Sequence, residues 1–238
     1  MAARLSRRRS HPAPHEFWRF NWLAHHKRHA ALARVRSHAS GVLVDLGCGD
    51  MPFAPLFDER VTRYIGTDLP GSPAFGARGP HVYASAAALP LRADSADTLL
   101  AMALMSYLPA PAIALDEARR VLRPGGVLIA EWVQMSPLWQ PPHDYWRFTR
   151  FGAERLLVEA GFEVVQVETY GGLMARVGLS WIAAINRINR GPLRPLTEIP
   201  ARILYAAIQL SFEGLDRLCF DAAEPLAHLI VARKRSGC

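Results

Sequence analysis

Two stretches hold the residue types that chemistry needs. The first is Val42-Leu43-Val44-Asp45-Leu46-Gly47-Cys48-Gly49-Asp50. An apolar run that ends in an acid and opens onto two glycines reads as a buried strand turning sharply at its carboxyl end. Gly47 and Gly49 carry no Cβ, so the backbone there can bend tightly and come close to a ligand. In doubly wound α/β folds, nucleotide-like cofactors rest at such a turn. Asp68 ends a second strand-like run, Arg63-Tyr64-Ile65-Gly66-Thr67-Asp68. An acid at that place accepts hydrogen bonds from ribose hydroxyls, although it can also serve only to cap the Pro70-Gly71 turn. The second stretch is Pro141-Pro142-His143-Asp144-Tyr145-Trp146-Arg147-Phe148-Thr149. His143 can act there as a general base, with Tyr145 and Arg147 orienting an acceptor. The same residues also suit a structural loop. Trp146 and Phe148 would then anchor it, Arg147 would pair with a carboxylate, and Asp144 or Thr149 would cap the next helix.

The elements that must position these groups alternate along the chain. After the glycine turn, Met51 to Phe57 reads as a short, proline-started helix. Strand-like runs follow at His81–Ser85, Thr98–Leu104, Val127–Val133 and Phe162–Tyr170, and a closing run at Ala227–Arg233. Helical patterns follow Pro111, with Ile113, Ala114, Ala118 and Val121 on one face, and cover Thr149–Ala160 before Gly161. Strands alternating with helices at this spacing mean a parallel sheet with crossover connections. Before the sheet, His15–His38 has helical spacing. It is expected to pack on the core or to cover its cofactor site. After it, residues 171–226 hold two amphipathic helices around Gly191-Pro192-Leu193-Arg194-Pro195. Trp181, Ile182, Ile185 and Ile188 form one face, and Leu204, Ile208, Phe212, Leu215 and Cys219 the other.

Residues 41–170 resemble the seven-stranded, Rossmann-like S-adenosylmethionine-dependent methyltransferases, in particular the bacterial small-molecule type. The ordered segments that carry the resemblance begin with Val-Asp45-Leu-Gly47-Cys-Gly49 and Tyr-Ile-Gly-Thr-Asp68. Ala-Ala-Ala-Leu89-Pro90 before Ser95-Ala-Asp97 comes next. Glu117-Ala-Arg119-Arg120-Val-Leu-Arg-Pro124-Gly125-Gly126 and Ala160-Gly161-Phe162 complete the set. The resemblance implies that Asp45, Gly47 and Gly49 form the first cofactor motif, with Asp68 on the ribose diol. Leu69 would pack on the adenine, and Ser85 and Ala86 would read its edge. It also implies S-adenosylmethionine as cofactor, methyl transfer as the activity and a small-molecule acceptor, lipid- and sugar-linked ones included. Three positions depart from the family pattern. Ser85 stands where an acid is usual, Met51 where many members have a third glycine, and Tyr107 where a histidine is usual after the fourth strand. Those departures keep a second reading open, a catalytically inactive binding or scaffold protein on the same fold. A dinucleotide site fits less well, because Pro52 occupies the place of the third glycine in G-x-G-x-x-G.

The expected architecture is therefore α/β. A doubly wound, mostly parallel seven-stranded sheet has an antiparallel last strand, an N-terminal helix and a helical insertion before that strand. Its segments are a basic arm and helix (1–40), a methyltransferase core (41–170), a helical insertion (171–226) and a closing strand with a basic tail (227–238). The net charge of +7 is concentrated in the arm. Residues 1–40 carry nine Arg and Lys against Glu16 alone, so the remainder carries −1. The near-neutral remainder does not suit nucleic acid, whereas the arm with residues 171–226 suits peripheral contact with an anionic membrane. Three cysteines make no paired framework, and Arg7-Arg8-Arg9 is not followed by an apolar segment, so a cytoplasmic protein is expected. His25 and His29 share a helical face at a spacing that can ligate metal. No Cys or acid joins them, so a solvated face is expected and no metal site is assigned.

Overall fold

The computed structural model describes residues 15–57, 60–72, 79–189 and 194–235. The basic stretch before His15 and the Gly191-Pro192-Leu193 break lie outside them. Among the described residues the strands are β1 (Gly41–Leu46), β2 (Val61–Asp68), β3 (Val82–Tyr83) and β4 (Ala96–Ala101). β5 (Leu122–Val133), β6 (Phe162–Tyr170) and β7 (Ala227–Lys234) follow. They form one sheet in the order β3-β2-β1-β4-β5-β7-β6. β1 pairs in parallel with β2 and β4, β2 with β3, and β4 with β5. The sheet ends on antiparallel strands, with β7 inserted between β5 and β6. The register sets Asp45 beside Gly66 on one side and Leu100 on the other, so the carboxyl ends of β1, β2 and β4 lie together.

The helices are α1 (Trp22–Val35), α2 (Pro111–Val121), α3 (Arg150–Glu159), α4 (Leu173–Ile188) and α5 (Arg194–Leu218). Pro111 opens α2, where its missing N–H costs nothing. Ala114, Leu115, Ala118 and Val121 then fall on one buried face. Thr149 caps α3 by accepting from Gly152 N at 3.2 Å. The central core gathers Leu46, Leu99, Leu128, Trp132, Phe148 and Phe162. Trp132 and Phe148 meet edge to face at 4.9 Å and 87°, a geometry that contributes about 0.5–1.5 kcal/mol beyond area burial.

The chain divides into two compact units. One takes in Leu32–Glu168 and the chain from His228 onward, the other residues 15–31 and Thr169–Ala227. The division differs from the segment boundaries read from the sequence, because the His15–His38 stretch is shared between the units. Its helix also begins at Trp22, with turns before it.

In the second unit, α4 and α5 pack through Ile182, Ala201 and Tyr205. The buried stripe of α5 is not the apolar face expected from its pattern. Ala201, Tyr205, Gln209, Glu213 and Asp216 are buried, whereas Leu204 and Leu215 are exposed. On α4, Ile182 is buried but Trp181 and Ile188 face water. Polar side chains can occupy the inner face of α5 because each finds partners there. Gln209 Nε2 donates to the carbonyls of Phe17 and Arg19, and its Oε1 accepts from Leu23 N at 2.8 Å. Lys27 Nζ stands 2.8 Å from both Glu213 Oε2 and Asp216 Oδ2. Asp216 Oδ1 accepts from Ala175 N in the first turn of α4. The histidine face of α1 is half-buried rather than solvated, and His26 stacks on Trp22 at 4.5 Å.

Candidate active site

The turn after β1 is built by backbone that glycine tolerates best. Gly47 and Gly49 have φ of 67° and 52°, in the left-handed region. A Cβ on Gly47 would stand 3.0 Å from Leu104 Cδ1, so this turn admits no side chain without displacing its neighbour. Met51 also has a left-handed φ, 55°. That conformation explains why glycine suits the position. Here Met51 occupies it with its side chain tucked inward. The space comes from Gly66 on β2, where a Cβ would lie 2.7 Å from Cys48 Sγ and 2.8 Å from Met51 Sδ. Cys48 is buried, and burial beside the carboxylates of Asp45 and Asp68 holds its thiol far up its titration range. It packs rather than reacts.

Asp68 ties the second strand to the glycine turn. Its Oδ2 accepts from Gly49 N at 2.9 Å and its Oδ1 from Leu69 N at 2.7 Å. Each carboxylate oxygen keeps a further lone pair for another donor. Leu69 beside it is 54% exposed, an apolar surface next to a carboxylate. Ser85 follows β3 and spends its hydroxyl on its own turn, accepting from Ala87 N at 3.2 Å, while Ala86 is buried. Asp45 is fully buried. Burial raises its carboxyl to about 7, against the opposing hydrogen bond from Tyr64, with the nearby Asp68 charge adding to the rise. The Tyr64 hydroxyl donates to Asp45 Oδ2 at 2.5 Å, and burial beside that carboxyl pushes the phenol upward. Tyr64 opens the Tyr-Ile-Gly-Thr-Asp68 segment, yet nothing in the sequence marked its bond to Asp45. Only the parallel register of β1 and β2 brings it near a residue 19 positions away.

The remaining motif segments are also joined here. Glu117 Oε1 accepts from Leu89 N, and Arg120 donates to Glu117 and to the Leu89 carbonyl, so α2 clamps the loop after β3. The guanidinium of Arg120 holds Glu117 below the usual carboxylate range. Arg123 pairs with Asp97, whose other oxygen accepts from Val42 N at the start of β1.

The loop after β5 carries His143, Tyr145 and Arg147. It is fastened to the 3₁₀ turn Leu104–Tyr107 that follows β4. Tyr145 N and Trp146 N donate to the Ser106 carbonyl, and Trp146 Nε1 donates to Leu108 O at 2.8 Å. Arg147 grips Asp144 with two bonds of 2.6 and 2.7 Å and also donates to the Ser136, Pro137 and Trp146 carbonyls. That pairing lowers the Asp144 carboxyl. Arg147 is thus engaged by the loop itself. His143 and Tyr145 stay exposed, with His143 Nδ1 3.1 Å from Tyr145 Oη. Leu138 and Trp139, 74% and 59% exposed, add apolar surface to the same loop.

Residues 44–130 match the family model of a methyltransferase domain. Among curated proteins, an uncharacterized methyltransferase of Mycobacterium ulcerans is 35% identical over 107 residues, 42% of each chain. A trans-aconitate 2-methyltransferase of an Azoarcus species is 38% identical over 125 residues, covering 50% of this chain and 48% of that one. The chain thus spans less than half the length of these curated relatives. Among solved structures, a SAM-dependent methyltransferase from Archaeoglobus fulgidus superposes with a TM-score of 0.56 at 18% identity, over 87% of this chain and 93% of that one. The [4+2]-cyclase SpnF superposes equally well, at 20% identity over 87% and 81%. The fold is that of these Rossmann-like methyltransferase structures, and residues 44–130 are the part that is similar to the methyltransferase domain model.

Proposed function

We propose that the chain is an S-adenosylmethionine-dependent methyltransferase acting on a small-molecule acceptor. The observation that carries this reading is the joint at Asp68. There a carboxylate at the end of β2 accepts from the backbone of the Gly47–Gly49 turn beside an exposed leucine. The residues suit the cofactor. The turn gives close backbone approach, Asp68 offers lone pairs to a ribose diol, and Leu69, Ser85 and Ala86 offer an apolar shelf with a polar edge. When bound, that cofactor supplies an electrophilic methyl group on a sulfonium sulfur.

What the chain itself contributes is alignment and a path for a proton. With its proton on Nδ1, His143 donates to Tyr145 Oη, and its Nε2 is left able to accept a proton from an acceptor hydroxyl. Arg147, held by Asp144, keeps that pair in place and acts as a positioning residue. The name of the Azoarcus relative, a trans-aconitate methyltransferase, supports an acceptor of small-molecule size. Among nucleic-acid, protein and small-molecule acceptors, the exposed apolar residues of the β5 loop also favour the last. No helix among the described residues is long and apolar enough to cross a membrane.

Calorimetry tests the cofactor assignment. The wild type should bind both S-adenosylmethionine and its demethylated product, and Asp68→Asn should weaken both by about tenfold or more. If the wild type binds neither, the scaffold reading replaces this one. Once an acceptor is in hand, unchanged turnover by His143→Ala removes His143 from the proton path.

A further inference from the structure

Besides its buried stripe, the α5 helix has a second, exposed apolar face. Leu196, Ile199, Ile203, Leu210 and Leu218 recur at three-, four-, seven- and eight-residue steps and so fall on one stripe. They are 77, 70, 67, 50 and 83% exposed. The stripe runs about 33 Å along the helix, at 1.5 Å per residue. Beside its first half lies an open groove of about 430 Å³, lined by Phe17, Trp18, Ile199, Arg202, Ile203 and Ala206. Trp18 and Phe20 are themselves partly exposed, as is Trp181 on α4.

We infer that this stripe and groove dock on the surface of an anionic lipid bilayer. The argument is charge complementarity. The apolar stripe is unbroken by charge from Leu196 to Leu210, Arg217 follows beside Leu218, and arginines gather at the amino-terminal end. Arg194 and Arg202 share one acid, Glu198, at 3.1 and 2.9 Å, and Arg187 is exposed on α4 nearby in sequence. Apolar side chains with a tryptophan and an arginine in one groove, as Ile199, Ile203, Trp18 and Arg202 provide, are what the interface of an anionic leaflet selects. The helix would lie in the plane of the interface, with its stripe in the headgroup–acyl boundary. This inference does not rest on methyl transfer, and a protein without that activity would dock in the same way.

The test is co-sedimentation of the full chain with phosphatidylcholine vesicles, with and without phosphatidylglycerol, at low and at raised salt. The wild type should pellet with the anionic vesicles and release as salt rises. Ile199→Glu with Ile203→Glu, at two exposed positions, should cut binding by about tenfold or more, and Leu210→Glu should cut it less. Circular dichroism and thermal denaturation of the variants check that the helical unit is intact. The inference is overturned if the wild type stays in the supernatant at low salt. It also fails if the double variant pellets like the wild type, since charge alone then binds. A wild-type dimer that the double variant dissociates, without vesicle binding, would assign the stripe to a second copy instead.

Discussion

Asp45 in the sheet unit and Glu213 in the helical unit are both withdrawn from water, and they respond in opposite directions. Asp45 is raised to about 7 by burial, and its one strong partner is the neutral hydroxyl of Tyr64. Burial pushes Glu213 up as well. Hydrogen bonds from His26 and Lys27, the Lys27 charge and Arg217 reverse it, to about 2. A neutral donor softens the cost of a buried carboxylate, whereas a cation at contact distance removes the reason to protonate. The helical unit thus holds permanent charges in a closed network. The end of β1, before the glycine turn, holds a carboxyl raised to about 7.

The largest effect should come from Lys27→Met. It takes away the ammonium 2.8 Å from both Glu213 and Asp216, leaving Glu213 to His26 and Arg217, and should cost about 3–5 kcal/mol in chemical denaturation. Adding Glu213→Gln and Asp216→Asn should restore much of that loss. A cost under about 1 kcal/mol for the single change would mean that water reaches the cluster, and the contrast with Asp45 would fail. The pH signs of the two sites also differ. Glu213 is depressed when folded, so its contribution is present above its ordinary value of 4.5 and is lost as pH falls toward about 2.

Asp45 behaves oppositely. Folded, it keeps its proton up to about 7, while the unfolded chain releases it near 3.8. Between those values the folded state binds more protons, so stability falls as pH rises. Asp45→Asn cannot ionise and should lack this slope. Between pH 5 and pH 8 the variant should gain about 2–3 kcal/mol on the wild type. Parallel stability curves would show that Asp45 is ionised throughout. Tyr64→Phe sharpens the point, because it removes the one bond that lowers Asp45. It should cost about 1–2 kcal/mol and move the downward slope to higher pH.

The contrast also explains what could be read from sequence. The strands were legible because a two-faced parallel strand needs a nearly continuous apolar run, and β1, β4 and the second half of β5 supply one. The glycine turn and Asp68 were legible because their spacing along the chain is itself the requirement. Tyr64 was not, since its role depends on strand register. The inner face of α5 was misread for a related reason. An apolar periodicity identifies a core only when buried polar groups lack partners. Gln209 binds Phe17 and Arg19, about 190 positions earlier, where no local pattern could announce it. The same contact fixes the chain before Trp22 in turns where helix had been expected. In the β5 loop, Arg147 is bound within the loop as the structural reading expects, and His143 and Tyr145 are exposed.

The smallest expected effect concerns strain rather than charge, and it lies beside Asp45. Met51 holds a left-handed backbone at φ 55°, which for a side-chain-bearing residue costs about 1–2 kcal/mol. Its side chain is 9% exposed and fills the hollow above Gly66, a burial that contributes about 1.5–3 kcal/mol. Met51→Gly relieves the first and forfeits the second, so the variant should lose only about 1 kcal/mol. Gly66→Ala alone should be much worse, because its Cβ would meet Cys48 Sγ and Met51 Sδ at 2.7 and 2.8 Å. The two changes together should then be less damaging than their sum, since the glycine at 51 vacates half of the space the alanine needs. Strict additivity in that double-mutant cycle would show that Met51 is not packed against Gly66. The methionine's strained backbone would then lack the packing that offsets it.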